Sequence, residues 1–253
     1  MFLENYMNQA EIRFYGSLND FLPSEKRGKS IPFSFIDHNS IKDTIESFGV
    51  PHPEVEFLLV NGIAKPFSYI ISDQDKISVY PFFFQLEIPS EWKVTPSLPE
   101  EKRFVLDVHL GKLAAYLRML GMDTLYRNDY DDPDLAEISS QEGRILLTRD
   151  IGLLKRGQVV YGYFVRATDP TKQIKEVCSR FSLTEKIKPL TRCMECNGIL
   201  YLAKKEEIWE LIPEKVRQSF TTFYSCPCCK KIYWPGTHCD KMEHIIAEIT
   251  SGK

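Results

Sequence analysis

Two Cys-x-x-Cys pairs constrain the fold of this chain more than any other feature of the sequence. Cys193 and Cys196 form the first pair, and Cys226 and Cys229 form the second. Four thiolates on two such turns are the ligands that a tetrahedral zinc ion requires, and four protein ligands leave no open position for catalysis. The spacing therefore predicts one structural zinc ion per chain. Cys228 stays open as an alternative to Cys229, although the two-residue spacing favours Cys229.

The distribution of the cysteines also indicates a compartment. All seven follow residue 177. An odd number of cysteines crowded at one end argues against a disulfide framework and predicts a reduced, cytoplasmic chain. Cys178 and Cys239 are then expected to be small hydrophobic residues. We expect no secretory signal in Met1–Ala10, which lacks a basic region followed by an apolar core, and no membrane helix, since no apolar stretch approaches about 18 residues.

Length and proline content predict several domains. A chain of 253 residues exceeds the usual ~100–200 residues of one domain, and the stretch from Ile88 carries Pro89, Pro96 and Pro99 without any sustained period, as linkers do. The predicted boundaries are a β-grasp domain at 10–87, a linker at 88–100, an α/β domain at 101–189 and a zinc ribbon at 190–245.

The first domain shows a ββαβ(β)β order of elements. Strand-like alternation at 11–16 and 31–37 precedes a short helix after Ser40, and an apolar strand at 55–60 leads through a turn to a strand at 76–80. This order resembles the α+β β-grasp of ubiquitin-like sulfur carriers of the ThiS/MoaD kind. Those carriers act through a free C-terminal Gly-Gly, whereas here the chain continues after Tyr80. The domain is therefore expected to be a scaffold or a module that binds a protein partner.

The second domain alternates strands and helices, which predicts parallel βαβ units in a three-layer α/β fold. Its acids fall where strands end. Asp107 closes the first strand, an acid-rich loop at 128–134 follows the second, and Asp150 stands two residues beyond the third. Ligands of open α/β sheets bind at the carboxyl ends of the strands. Carboxylates crowded there repel one another unless a hard cation such as Mg²⁺ or Mn²⁺ neutralises them, and such a metal suits phosphodiester hydrolysis.

Each of these acids also has a structural interpretation. Asp132 fits the N-cap of a helix with Pro133 in its first turn, and Asp150 and Asp107 could cap the helices that follow them. The other polar residues of these loops are expected to be solvated or structural: His109, Asp129, Asp131 and Asp134.

Two stretches of the second domain resemble a PIN-like ribonuclease family, named after the C-terminal region of the nematode "mutator seven" exonuclease. The first stretch comprises residues 103–107 and 110–121, and the second runs from 132–135 into 143–150. The resemblance covers about residues 100–245, and many bacterial members carry the same β-grasp domain in front. It implies the same zinc ribbon, which continues into Trp234 and His238.

The resemblance implies an enzyme that cleaves RNA with Mg²⁺ or Mn²⁺ held by Asp107, Asp132 and Asp150. Asp131 or Asp134 could replace Asp132, because both lie close to it in sequence. PIN folds usually offer a fourth acid on a helix, and Glu137 is the candidate here.

Charge permits a nucleic-acid partner without requiring one. Residues 1–100 carry 8 Lys or Arg against 14 Asp or Glu, whereas residues 101–190 carry 15 against 13, so the part after the linker is mildly basic. Tyr233 and Trp234 either offer aromatic surface to RNA or cover the small core of the ribbon. The basic residues that we consider for RNA contacts are Arg118, Arg149, Lys155, Arg156, Lys230 and Lys231.

Three functions fit these features. The first is metal-dependent hydrolysis of RNA. The second is a non-catalytic adaptor that binds RNA through the ribbon and the basic face, while the acids only cap helices. The third is a phosphoacceptor of the response-regulator type, which expects a pair of acids after the first strand, where this chain has Asp107 and Val108.

Overall fold

The computed structural model describes residues 7–36, 39–83, 86–236 and 245–248. The chain divides into two compact units: the first holds the described residues up to Pro99 together with Asp150–Phe164, and the second holds Glu100–Arg149 and the described residues from Val165 onwards. In the described part of the chain, no helix combines the length and the apolar character needed to cross a membrane.

The regular elements are numbered in chain order. The strands are β1 (Asn8–Phe14), β2 (Ile31–Phe35), β3 (Val55–Val60), β4 (Ile63–Ala64), β5 (Lys76–Pro81), β6 (Phe104–Leu106), β7 (Thr124–Leu125), β8 (Ile145–Thr148), β9 (Gly162–Phe164), β10 (Tyr201–Ala203), β11 (Phe223–Ser225) and β12 (Ile232–Tyr233). The α-helices are α1 (Ile41–Ser47), α2 (Gly111–Met119), α3 (Asp132–Glu142), α4 (Ile151–Leu154), α5 (Pro170–Arg180) and α6 (Glu214–Ser219).

The first unit contains a mixed five-stranded sheet in the order β2-β1-β5-β3-β4. β1 pairs with β5 in parallel, and the other neighbours are antiparallel. This arrangement confirms the predicted β-grasp fold. β2 lies at the edge of the sheet, where Pro32, which has no N–H to donate, is tolerated.

Helix α1 packs on the core of this sheet because its apolar residues fall on one face. Ile41 and Ile45 are fully buried, and the Ser40 hydroxyl accepts a hydrogen bond from the Asp43 N–H at 3.1 Å as the N-cap. The chain leaves the helix through Gly49, whose φ of +96° favours glycine.

The second unit contains a parallel sheet. β6 lies between β7 and β8, and both pairings are parallel, with Phe104 opposite both Thr124 and Ile145. Every residue of β6 and β8 is buried, as expected for strands covered on both faces. α2 packs against β7 and α5, and α3 packs against β6 and β8, which confirms the predicted α/β class.

The last part of the second unit is a three-stranded antiparallel sheet in the order β10-β11-β12. Between the two Cys-x-x-Cys pairs, the sequence leads us to expect a helical stretch from Lys204 to Gln218, broken at Pro213. That expectation is wrong for its first half, where the structure has turns and a short 3-10 helix at Trp209–Leu211, and right for the second half, which is α6.

Candidate functional site

Asp107 lies directly after β6 and ties the carboxyl ends of two parallel strands together. Its side chain is almost fully buried, at 4% exposure. One carboxylate oxygen accepts the His109 N–H at 2.8 Å, and the other accepts the Arg149 N–H at 3.1 Å and the hydroxyl of Thr148. A carboxylate offers about four acceptor positions, so these three donors fix the side chain and leave it capacity for one further contact.

Asp107 also acts as the N-cap of the 3-10 turn Val108–Leu110, which leads into α2. The side chain of His109 is exposed, and its contribution to this site is its backbone N–H. Capping and ligand binding are compatible here, because one carboxylate oxygen serves the turn and the other faces the end of β8.

The acid-rich loop supplies the N-cap of helix α3, but from a different residue than expected. Asp131, and not Asp132, is the N-cap of α3, and its carboxylate accepts the Asp134 N–H at 2.9 Å. Asp132 becomes the first residue of the helix and is half-buried. The sequence did not separate the two, because either choice places Pro133 in the first turn.

The other acids of this region lie on the surface. Asp129 forms a two-pronged ion pair with Arg127, with N–O distances of 2.9 and 2.6 Å, and this pairing lowers the pKa of Asp129. Glu137 is exposed on α3 and accepts a hydrogen bond from Gln141 at 2.6 Å.

Asp150 is exposed and caps helix α4. One of its oxygens accepts the N–H groups of Gly152 and Leu153, at 2.6 and 3.1 Å. Gly152 suits this position, because a Cβ there would lie 3.1 Å from the same oxygen.

Arg118 and Arg149 serve as internal clamps, which differs from the expected RNA contacts. The Arg118 side chain is 5% exposed and donates to the Thr124 carbonyl at 2.9 Å and to the Glu195 carbonyl at 2.7 Å; burial lowers its pKa. The half-buried Arg149 donates from one nitrogen to three successive carbonyls, those of residues 165–167, at 2.7–2.9 Å. Neither guanidinium lies on the open surface.

The remaining basic candidates are more accessible. Lys155 and Arg156 are half-buried, whereas Lys230 and Lys231 are exposed. Lys231 forms an ion pair with Glu195 of the other Cys-x-x-Cys turn.

Cys193, Cys196, Cys226 and Cys229 bring their sulfur atoms together within 4.8 Å of one another. In the described part of the chain, this is the one group of three or more acidic, histidine or cysteine side chains gathered so closely. The sulfur atoms of Cys193 and Cys229 are 3.4 Å apart, as are those of Cys196 and Cys226. Tetrahedral zinc with bonds of about 2.3 Å places its sulfurs about 3.8 Å apart, so the four thiols fit the ion.

The two Cys-x-x-Cys turns have the same backbone geometry. The N–H groups of Asn197 and Lys230 donate to the carbonyls of Cys193 and Cys226, each at 2.9 Å, and both donors have positive φ, at 66° and 63°. These matching turns bring the four thiols together. Tyr233 lies beside the cluster, with its hydroxyl 3.1 Å from the Cys193 sulfur, and burial raises its pKa.

Tyr233 and Trp234 contribute to the small cores of the ribbon. Tyr233 packs with Cys193, Leu200 and Cys226, and Trp234 packs beside Phe223. Cys178 is buried in α5 as expected, and burial raises its pKa to about 12. His238 and Cys239 lie outside the described residues.

Asp123 and Asn197 join the first Cys-x-x-Cys turn to the parallel sheet. The side-chain amide of Asn197 accepts a hydrogen bond from the Thr124 N–H at 3.0 Å and donates one to the Asp123 carboxylate at 2.8 Å. Asp123 also accepts from Arg144 at 2.8 Å and from Arg192 at 3.3 Å. Burial opposes ionisation of Asp123, but the hydrogen bonds from Arg144 and Asn197 outweigh it and hold the pKa of that carboxyl below its usual range. Sequence reasoning missed this cluster, which has no local signal.

A family model described as Mut7-C RNAse domain matches residues 102–246, more than half of the chain. The chain belongs to the Mut7-C RNAse domain family. A second model, described as Mut7-C ubiquitin, matches residues 7–87. These matches confirm the resemblance and indicate a nuclease-related function for the chain. No curated protein and no solved structure matches it.

Proposed function

We propose that the chain is a ribonuclease that hydrolyses RNA phosphodiester bonds with Mg²⁺ or Mn²⁺ held by Asp107, Asp132 and Asp150. The observation that carries the proposal is the buried carboxylate of Asp107 at the carboxyl ends of β6 and β8, inside the segment that matches the Mut7-C RNAse domain. This edge of a parallel sheet is where α/β folds bind their ligands.

The acids fit the metal by the chemistry of their donor atoms. Mg²⁺ prefers hard oxygen ligands and commonly binds one or two carboxylates while waters and substrate phosphates complete its shell. When bound, the ion supplies an activated water and stabilises the charge that develops on the phosphoryl group. The role of Asp107 is to present an oriented carboxylate, since three hydrogen bonds restrict its rotation.

For the four cysteines we propose a structural zinc ion. A closed Cys₄ set leaves no open position, so the metal would hold the two turns and, through Asn197 and Arg118, stabilise the adjacent parallel sheet. Thiolate ligation requires reduced cysteines, which supports a cytoplasmic location for the chain.

The exposed Lys230 is proposed as an RNA contact of the ribbon. The β-grasp domain is proposed as a surface for protein interactions.

The test is cleavage of a labelled single-stranded RNA with Mn²⁺ by the full chain and by Asp132→Asn and Asp131→Asn. Asn replaces Asp well at an N-cap, so Asp131→Asn keeps α3 capped and serves as the matched control. We expect Asp132→Asn to lose about 100-fold or more of the cleavage rate, because even the residues that only support metal ligands are worth about 10- to 100-fold. Asp131→Asn should cleave at the wild-type rate. The reverse order would move the ligand to Asp131, and metal-independent activity would contradict the proposal.

One observation favours the RNA-binding adaptor as a second candidate function. Asp107 and Asp150 both cap helical turns, so each already has a structural role. The adaptor predicts RNA binding that persists in EDTA without cleavage, whereas the nuclease predicts cleavage that EDTA abolishes.

A further inference from the structure

The segment 151–164, which follows Asp150, packs against the β-grasp domain within the first unit. The Lys155 ammonium donates to the Glu46 carbonyl, at the end of α1, at 2.6 Å. Four residues further along, the Val159 carbonyl lies 2.8 Å from the Nε2 atom of His52. These contacts tie a segment inside the match to the RNAse family to residues inside the match to the ubiquitin-like family.

His52 joins the two parts of this contact with both of its ring nitrogens. Its side chain is buried, and its Nδ1 atom lies 2.6 Å from a carboxylate oxygen of Glu46. A carbonyl only accepts hydrogen bonds, so Nε2 must carry a proton to bond Val159. The contact between Nδ1 and Glu46 then needs a second proton, on either the ring or the carboxylate. The ring is therefore held at both ends between α1 and the segment.

Two further contacts hold the end of the segment. The buried carboxylate of Glu54 accepts the Phe164 N–H at 2.7 Å. Gly162 passes so close to Pro53 and Leu154 that an added Cβ would lie 3.2 and 2.6 Å from them. The turn His52–Glu54 thus contacts the segment in three ways. Its side chains bond one backbone carbonyl and one backbone N–H of the segment, and Pro53 lies close to Gly162.

We propose that His52 and Glu46 are positioning residues that hold Asp150 in place for the metal-dependent reaction, an inference that rests on the proposed function. Asp150 caps α4, and Lys155 follows that helix directly, so the hold on the segment passes to Asp150 through a single helical turn. The β-grasp domain then acts as a brace for one metal ligand of its own chain, in addition to any protein that it binds. Residues 46–54 provide the bracing surface.

The first test is hydrogen exchange of backbone amides in the full chain, followed by mass spectrometry of peptides from 151–164. His52→Leu loses both ring contacts, whereas His52→Gln retains an amide N–H near the position of Nε2 and can still donate to the Val159 carbonyl. Asp75→Asn is the matched control, because Asp75 is buried in the β-grasp domain and bonds Asn61 and Tyr69 there.

We expect exchange in 151–164 to be about tenfold faster in His52→Leu. Losing a net hydrogen bond lowers the free energy of local opening by an amount that corresponds to about a factor of ten in exchange rate. His52→Gln should recover most of the protection, and Asp75→Asn should leave these peptides near the wild-type rate. Unchanged exchange in His52→Leu, or equal acceleration by Asp75→Asn, would overturn the proposal.

The second readout is the affinity for Mn²⁺, measured by paramagnetic resonance titration of the zinc-loaded protein, with Asp150→Asn as the reference. We expect His52→Leu to weaken Mn²⁺ binding by about tenfold, the order of effect of outer-shell residues at metal sites, and His52→Gln to restore it. If Asp150→Asn loses Mn²⁺ and His52→Leu does not, the positioning role is wrong and the proposed function stands. If the wild type neither binds Mn²⁺ nor cleaves RNA, the proposed function fails, and Asp150 has no ligand role for His52 to support.

Discussion

The Asp107 carboxylate accepts a hydrogen bond from the backbone N–H of Arg149 at 3.1 Å. The same oxygen accepts the hydroxyl of Thr148, the last residue of β8. Two parallel strands are therefore joined at their carboxyl ends by an acidic side chain, and the local stability of this edge depends on the same group that we propose as a metal ligand.

Thr148→Val removes one donor to Asp107 and keeps the shape of the side chain. We expect the free energy of unfolding of the second unit to fall by about 1.5–3 kcal/mol, the range for a hydrogen bond to a charged group. Urea denaturation followed by circular dichroism measures this change. An unchanged unfolding midpoint would mean that the hydroxyl does not restrain the carboxylate.

Arg118→Met removes the buried clamp between the sheet and the first Cys-x-x-Cys turn. The carbonyls of Thr124 and Glu195 lose a charged donor, so we expect a loss of about 2–4 kcal/mol in the free energy of unfolding. The zinc content should stay at about one per chain, because the four thiols are untouched.

Arg127→Met is the control for that variant, since Arg127 forms an ion pair with Asp129 on the surface. It should leave the unfolding midpoint unchanged, as exposed pairs contribute little. Equal losses in both variants would contradict the clamp.

The four-cysteine cluster predicts different outcomes for adjacent cysteines. Cys229→Ser should lose tightly bound zinc, whereas Cys228→Ser should retain about one zinc ion per chain, because Cys229 and not Cys228 belongs to the cluster. Metal analysis after gel filtration measures both. Retention by Cys229→Ser together with loss by Cys228→Ser would reverse the assignment of the fourth ligand.

Asp123 predicts a loss of stability in acid. Its pKa in the folded chain lies below its usual range, whereas the unfolded chain has an ordinary aspartate pKa of about 3.9. The stabilisation is therefore complete above about pH 4 and is lost as the pH falls through the lower, folded value.

Asp123→Asn tests this dependence, because it removes the charge that faces Arg144 and Arg192. We expect the free energy of unfolding of the variant to vary less between about pH 2 and pH 4 than that of the wild type. Parallel pH curves would show that Asp123 does not contribute.

Much of the fold is predictable because the signals for it are local. Ser40 caps α1, β3 begins and ends at the expected residues, and Asn61 occupies the turn after it with a φ of 52°. Capping, alternation and turn preferences each act over a few residues, which is the range that a sequence pattern reports.

The roles of the arginines were not predictable, because they depend on residues far away in sequence. Arg118 bonds carbonyls 76 and 77 residues later in the chain, and no local pattern separates such a clamp from a solvated side chain. The prediction of the α3 cap failed for a different reason, since Asp131 and Asp132 both satisfy the residue preference at an N-cap. His52 carried no signal either, because Val159 is 107 residues away.

The most direct test of the central claim is the rate of Mn²⁺-dependent RNA cleavage by Asp150→Asn. Asn caps helices as well as Asp, so this variant keeps the hydrogen bonds to Gly152 and Leu153 and removes only the charge. The account predicts a loss of about 100-fold or more in cleavage rate with an unchanged unfolding midpoint. Cleavage at the wild-type rate would show that Asp150 serves only as a cap and would contradict the proposed metal site.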